Sequence, residues 1–219
     1  MKLRVKGRAI ALILVLTLLL TGCTIGESGK YKYYVDSLIT VSYLGITDEY
    51  TKTTGAGKTE AEAIYLQNVS RLADNLIAYY DFNITPDHEL YPKMQEVAKK
   101  IYSKAKYEVG NAHNEGSGFY TDVTIYPIDI LNQTAPEVEA YINDFNERIK
   151  AGEYNDYAQD AYESEFASGI MDILFNACDY MEYKAPVTLS VKILTNDSSF
   201  YIDDSDITAI DAAIIATTK

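Results

Sequence analysis

The chain predicts an α+β fold: a small antiparallel sheet of two hairpins packed against several amphipathic helices. Three observations predict it. Apolar residues recur at three- and four-residue spacing over most of the chain, the period drops to two in two short stretches, and those stretches stand apart from the helical ones. The resulting order is three helices, a hairpin, two helices, a second hairpin and a short closing helix, in one domain over residues 31–219.

The first 22 residues are excluded from that fold. Lys2, Arg4, Lys6 and Arg8 precede an apolar run from Ala9 to Leu16, continued by Leu18, Leu19 and Leu20. About a dozen apolar residues fall short of the roughly twenty that a helix needs to cross a hydrocarbon core, so the segment reads as an export signal. Leu20-Thr21-Gly22-Cys23 follows and resembles the lipobox of bacterial lipoproteins: a branched apolar residue, two small residues and a cysteine. The small residues open the bond before Cys23 to a peptidase, and the Cys23 sulfur accepts a diacylglycerol group. The resemblance implies a signal peptide over 1–22 and lipidation at Cys23. Two acyl chains, at ~0.8 kcal/mol per buried methylene, hold a protein stably on a membrane without spanning it. Residues 24–30 contain two glycines, a serine and no aromatic ring, so 23–30 reads as a lipidated cysteine and flexible tether.

Folding is expected from Tyr31. A helix through Leu44, stopped by Gly45, has an aromatic side made of Tyr31, Tyr33, Tyr34 and Tyr43. A second helix over 59–80 presents Tyr65, Val69, Leu72, Leu76 and Tyr79 on one face. A third begins at Thr85 with Pro86 in the first helical position and buries Leu90, Met94, Val97 and Ile101. Tyr107 and Val109 then alternate with polar residues, residues 114–118 turn the chain, and Phe119, Thr121, Val123 and Ile125 alternate again until Pro127. Thr134 and Glu137 form a capping-box pattern that starts a helix running to Lys150, with Val138, Tyr141, Phe145 and Ile149 inward and Gly152 as its stop. The next helix covers 156–180 along Phe166, Ile170, Leu174 and Ala177. Residues 187–193 and 200–202 form the second hairpin around Asn196-Asp197, and a helix over 205–215 closes the domain.

Charge and cysteine content narrow the function. Removal of residues 1–22 leaves 15 basic against 32 acidic groups, a net charge of about −17. Such a surface repels phosphate backbones, so no nucleic-acid partner is expected. With Cys23 acylated only Cys178 remains, which rules out an internal disulfide, and its apolar surroundings mark it as a small buried hydrophobe. Twenty tyrosines with no tryptophan point to buried rings and, where exposed, to a binding face.

No motif supplies a reaction. Gly55-Ala56-Gly57-Lys58-Thr59 lacks the first glycine of a phosphate loop, since Lys52 holds that position; it reads as a loop with Thr59 capping the next helix. His88 and His113 stand apart without metal-ligand companions, and Ser117 lies in a turn. Asp203, Asp204 and Asp206 suit a helix start better than a calcium loop. Asp160 with Glu163 and Glu165 is a conceivable glycosidase-like set on a solvated face. No catalytic residue, metal ligand or cofactor is expected.

The lipobox, the aromatic helix ending in Leu44-Gly45, Lys106-Tyr107-Glu108-Val109, Tyr126-Pro127-Ile128-Asp129 and Phe200-Tyr201-Ile202-Asp203 together resemble small lipoproteins of Gram-positive Firmicutes. The closing strand-turn-strand and helix is similar to cystatin-like and nuclear-transport-factor-like domains. The resemblance implies a lipid-anchored protein on the outer side of the cell membrane and no activity. The expected function is a non-enzymatic module that binds an envelope ligand or protein. The alternatives are a carboxylate-dependent envelope hydrolase and a structural or stress-protective lipoprotein.

Overall fold

The structure, a computed structural model, describes residues 26, 28–116, 118–196 and 199–216. The expected export signal and Cys23 fall outside that range, as do Ser117 and Asp197 of the two expected turns. Among the described residues seven helices and five strands form an α+β fold.

Helix α1 covers residues 28–39 and continues as a π-helical turn, Thr40–Leu44, ended by Gly45 at φ 68°. Only glycine adopts that backbone without strain, and a Cβ at Gly45 would press on the Tyr65 ring. Residues 28–30, counted with the tether above, are already helical, and the Ser28 hydroxyl donates to the Ala112 carbonyl. Most of α1 lies inside the molecule, burying Tyr31, Tyr34, Val35, Ile39, Val41 and Tyr43. Along 28–44 only Lys30 and Tyr33 are exposed.

Helix α2 (Asp48–Thr54) has no counterpart among the helices expected from the sequence; it buries no residue, so no apolar period marks it. Helix α3 (Lys58–Tyr79) matches its expected span, but Gly57 is the N-cap, so Thr59 is inside the helix and caps nothing. Leu72 and Leu76 are buried as expected, whereas Tyr79 is about half exposed and Ala73 and Ile77 complete the inner face. Helix α4 (Tyr91–Tyr102) begins six residues after Thr85. Pro92 dictates this: without an N–H, and with a ring that clashes with the carbonyl four residues back, it fits only the first turn. Residues 85–90 form turns instead, with His88 N donating to the Thr85 carbonyl at 2.9 Å.

Strands β1 (Lys106–Val109) and β2 (His113–Glu115) both pair antiparallel with β3 (Gly118–Tyr126). Val109 faces Val123 and His113 faces Tyr120, so residues 110–112 oppose only two residues of β3, which is a bulge. It is held by Gly110 N donating to the Asp122 carbonyl at 2.8 Å and the Thr121 hydroxyl donating to the Gly110 carbonyl at 2.9 Å. His113 therefore lies in a strand.

Helix α5 (Ile130–Lys150) starts a turn before the expected capping box, with Pro136 inside it. Thr134 is buried, and its hydroxyl donates to the Ile130 carbonyl at 2.7 Å. A cap contributes ~1 kcal/mol, while burying the Ile130 and Leu131 side chains contributes ~1.5–3 kcal/mol each, so packing decides the boundary. Helix α6 (Gln159–Ala177) runs back along α5, ends in a 3₁₀ turn at Cys178–Tyr180, and buries Ile170, Leu174 and Ala177 as expected. Gly169 permits the approach, since a Cβ there would overlap the Tyr141 ring.

Strands β4 (Val187–Asn196) and β5 (Ser199–Ile202) form the second hairpin, and β4 also pairs with β3 from Phe119 opposite Ile193 to Ile125 opposite Val187. That pairing merges the hairpins into one sheet, ordered β1-β3-β4-β5. Its apolar face carries Val123, Ile125, Val191, Ile193 and Ile202; Tyr31 of α1 meets Phe119 at 4.3 Å and Phe200 at 5.0 Å. Helix α7 (Asp204–Ile214) packs on β3 and β4 and is capped by Asp203, which accepts from Ser205 N at 2.9 Å.

Candidate functional site

One cleft combines apolar walls with convergent polar groups. Leu72 and Leu76 of α3, Leu131 at the start of α5, and Ala212 and Ile215 at the end of the chain's last helix enclose about 450 Å³. Tyr79 and Tyr102 stand at its edge, and Arg71, Asn75 and Asp211 supply polarity. That volume lies within the ~300–1,000 Å³ typical of small-molecule sites.

The polar wall is a connected network. Arg71 Nη2 donates to Asp211 Oδ1 at 2.6 Å and to Asn68 Oδ1 at 2.9 Å, and Asn68 Nδ2 donates to the Ser42 carbonyl at 3.0 Å. The buried Tyr43 hydroxyl donates to the same Asp211 oxygen, and its ring meets Tyr102 edge-on at 5.3 Å. Burial, reinforced by the Asp211 carboxylate, keeps the Tyr43 hydroxyl protonated far above the ordinary phenol range. Tyr102 is pushed up to about 12, first by burial, with Arg71 opposing. Two neutral hydroxyls, a guanidinium and a carboxylate therefore meet beside an apolar pocket. The arrangement suits binding of a molecule with a polar end and an apolar body.

Neither Arg71 nor Asp211 was expected from the sequence. Two signals mark them. Arg71 and Arg148 are the only arginines after residue 22, and Asp211 is the lone charge in the apolar run Ile207 to Ile215.

A second cavity of about 350 Å³ lies under the loop after α3. Asp81, Phe82 and His88 line one side, and Asp160, Glu163 and Phe166 of α6 the other. The expected acidic set is split. Glu163 accepts from Gln159 at 2.8 Å, while Glu165 turns away to Arg148 at 2.8 Å and to the Tyr154 hydroxyl at 2.8 Å. His88 lies before α4, not in its first turn, and its Nδ1 accepts from Leu90 N at 3.1 Å. His113 pairs with Glu115 at 3.0 Å. Cys178 is buried, donates to the Leu174 carbonyl and is pushed up to about 11 by burial, which suits an inert thiol. Asp203 is a helix cap, and Asp206 accepts from Lys192 N at 2.9 Å. Among the described residues no group of three or more His, Cys, Asp and Glu side chains is placed to hold a metal ion, and no helix is long and apolar enough to cross a membrane.

No protein-family model and no curated protein matches the chain. Among solved structures, the chain is similar to a protein of Bacillus subtilis, ycdA, assigned as a lipoprotein. The TM-score is 0.60 at 14% identity, over 84% of this chain and 55% of that one, so the match spans about half the length of the Bacillus protein. At that identity the likeness establishes a shared fold.

Proposed function

We propose that the chain is a membrane-anchored extracytoplasmic lipoprotein of the Gram-positive type implied by its lipobox, and that it binds a small amphipathic envelope molecule in the Arg71–Asp211 cleft without transforming it. The cleft carries the binding half of this reading: it joins apolar walls to the Arg71–Asp211 ion pair and the buried Tyr102, with the Tyr43 hydroxyl behind Asp211. The signal segment, Leu20-Thr21-Gly22-Cys23 and the lipoprotein assignment of the Bacillus relative support the address.

The test passes an envelope extract over immobilised residues 24–219 and identifies retained small molecules by mass spectrometry. The wild type is expected to retain a species that Arg71→Ala holds at least tenfold less tightly. Equal retention by both proteins would sink the cleft as the site. A Cys23→Ser form found in the membrane fraction as before would sink the anchor.

Carboxylate-dependent hydrolysis is the second reading, favoured by Asp81 and Asp160 lining one cavity from two different elements. It requires Asp160→Asn to abolish hydrolysis of an envelope glycan.

A further inference from the structure

Resting on the proposed anchor at Cys23, we infer a fixed posture: the N-terminal pole of α1 faces the phospholipid bilayer, and α1 acts as a strut that presents the Arg71–Asp211 cleft on the far side of the molecule.

Covalent reach sets the first constraint. Five residue steps separate Cys23 from Ser28, where the helix is already tied to Ala112, so an anchor at Cys23 could reach at most about 18 Å of backbone from that point. The helix then goes inward. Beyond Tyr33 every residue of α1 to Leu44 is buried or half-buried, which prevents the helix from lying flat on a membrane. Only its first turns can meet lipid.

Length sets the second. Tyr43, which holds the cleft's Asp211, follows Ser28 by fifteen residues, a rise of about 20 Å along the helix. Helix α3 travels the same way: Glu60 shares a hollow with Tyr34 near the start of α1, and Asn68 reaches Ser42 near its end. The cleft thus stands about 20 Å from the pole, measured along α1.

Surface chemistry agrees with this posture. At the pole, Tyr33 is 65% exposed and shares a shallow hollow with Lys30, Lys52, Glu49 and Phe200. Tyrosine is an interfacial residue, apolar in body and polar at its tip. Residues 28–60 carry four lysines and four carboxylates, whereas residues 130–184 carry twelve carboxylates against Arg148, Lys150 and Lys184. That acidic region joins the far end of α3 through Tyr80, Phe82 and Phe166. The segment that contains the pole, balanced in charge, approaches an anionic bilayer with less repulsion than the α5–α6 region would meet. The ligand that suits such a site is one dissolved in the envelope and not a lipid embedded in the anchoring bilayer.

The absence of tryptophan provides the test. Acylated full-length protein carrying Tyr33→Trp, or Tyr79→Trp at the cleft edge, is reconstituted into phosphatidylcholine–phosphatidylglycerol vesicles containing a dansyl-headgroup lipid. Energy transfer from the Tyr33→Trp reporter is expected to exceed that from Tyr79→Trp several-fold. Equal transfer, or stronger transfer from Tyr79→Trp, on vesicles that carry the protein in flotation overturns the posture while leaving the anchor standing. Failure of both variants to float with vesicles removes the anchor, and the posture with it.

Discussion

Arg71 and Arg148 sit in opposite kinds of surroundings. Arg148 binds two carboxylates: Nε and Nη2 hold Glu153 at 2.9 and 2.6 Å, Nη2 also holds Glu165 at 2.8 Å, and the guanidinium lies 5.5 Å from the Phe145 ring and 5.1 Å from Tyr154. It closes the α5–α6 connection. Arg71 instead directs Nη2 to one carboxylate, Asp211, and to the Asn68 amide, hydrogen-bonds Tyr102, and lines an open cleft. The same residue type joins two carboxylates of one local connection in Arg148 and ties two distant helices beside a cleft in Arg71.

The α5–α6 arm is expected to draw its stability from its rings and not from its charges. The ion pairs at Arg148 are partly solvated, and such pairs contribute ~0–1 kcal/mol. Phe145 is 2% exposed and touches Tyr141, Tyr154 and Phe166. Phe145→Ala is expected to cost ~3–5 kcal/mol in denaturant unfolding, the largest of the expected losses. A loss as small as that of Arg148→Gln would reverse the assignment.

The cleft wall should be less costly to break. Tyr43→Phe keeps the buried ring and removes one charge-assisted hydrogen bond from Asp211, for an expected loss of ~1.5–3 kcal/mol in the same measurement. No loss would mean that water replaces the hydroxyl fully, and the wall would then be looser than the structure indicates.

The two regions also differ in how far they were legible in the sequence. The arm is local. Phe145 and Val138 follow a helical period, and the Gly152 stop is visible in the chain, so its core was readable. The cleft depends on Arg71 and Asp211, which are 140 positions apart, and no periodicity links α3 to α7. Boundaries failed where burial outweighed a cap, as at Thr134, or where a proline imposed the start, as at Pro92. Strand β2 escaped because His113, Asn114 and Glu115 are all exposed and show no alternation. The α+β class survived these errors because it rests on which stretches have period two and which have period 3.6, and not on where each one ends.

The smallest effect, and the finest test of the contrast, is pH dependence in the arm. Hydrogen bonds from Arg148 hold the Glu153 and Glu165 carboxyls below the ordinary carboxylate value of 4.5. A carboxyl lowered in the folded state binds protons less readily there than in the unfolded chain. Its stabilising contribution is therefore complete above the unfolded value and is lost as pH falls through the folded one. The urea midpoint is expected to fall below about pH 4.5, with a shallower acid limb in Arg148→Gln, where the largest cause of both shifts is gone and only the Tyr154 hydroxyl still holds Glu165 down. Identical acid limbs in the two proteins would mean that Arg148 does not hold its two carboxylates in their charged form, and the contrast drawn between the two arginines would collapse.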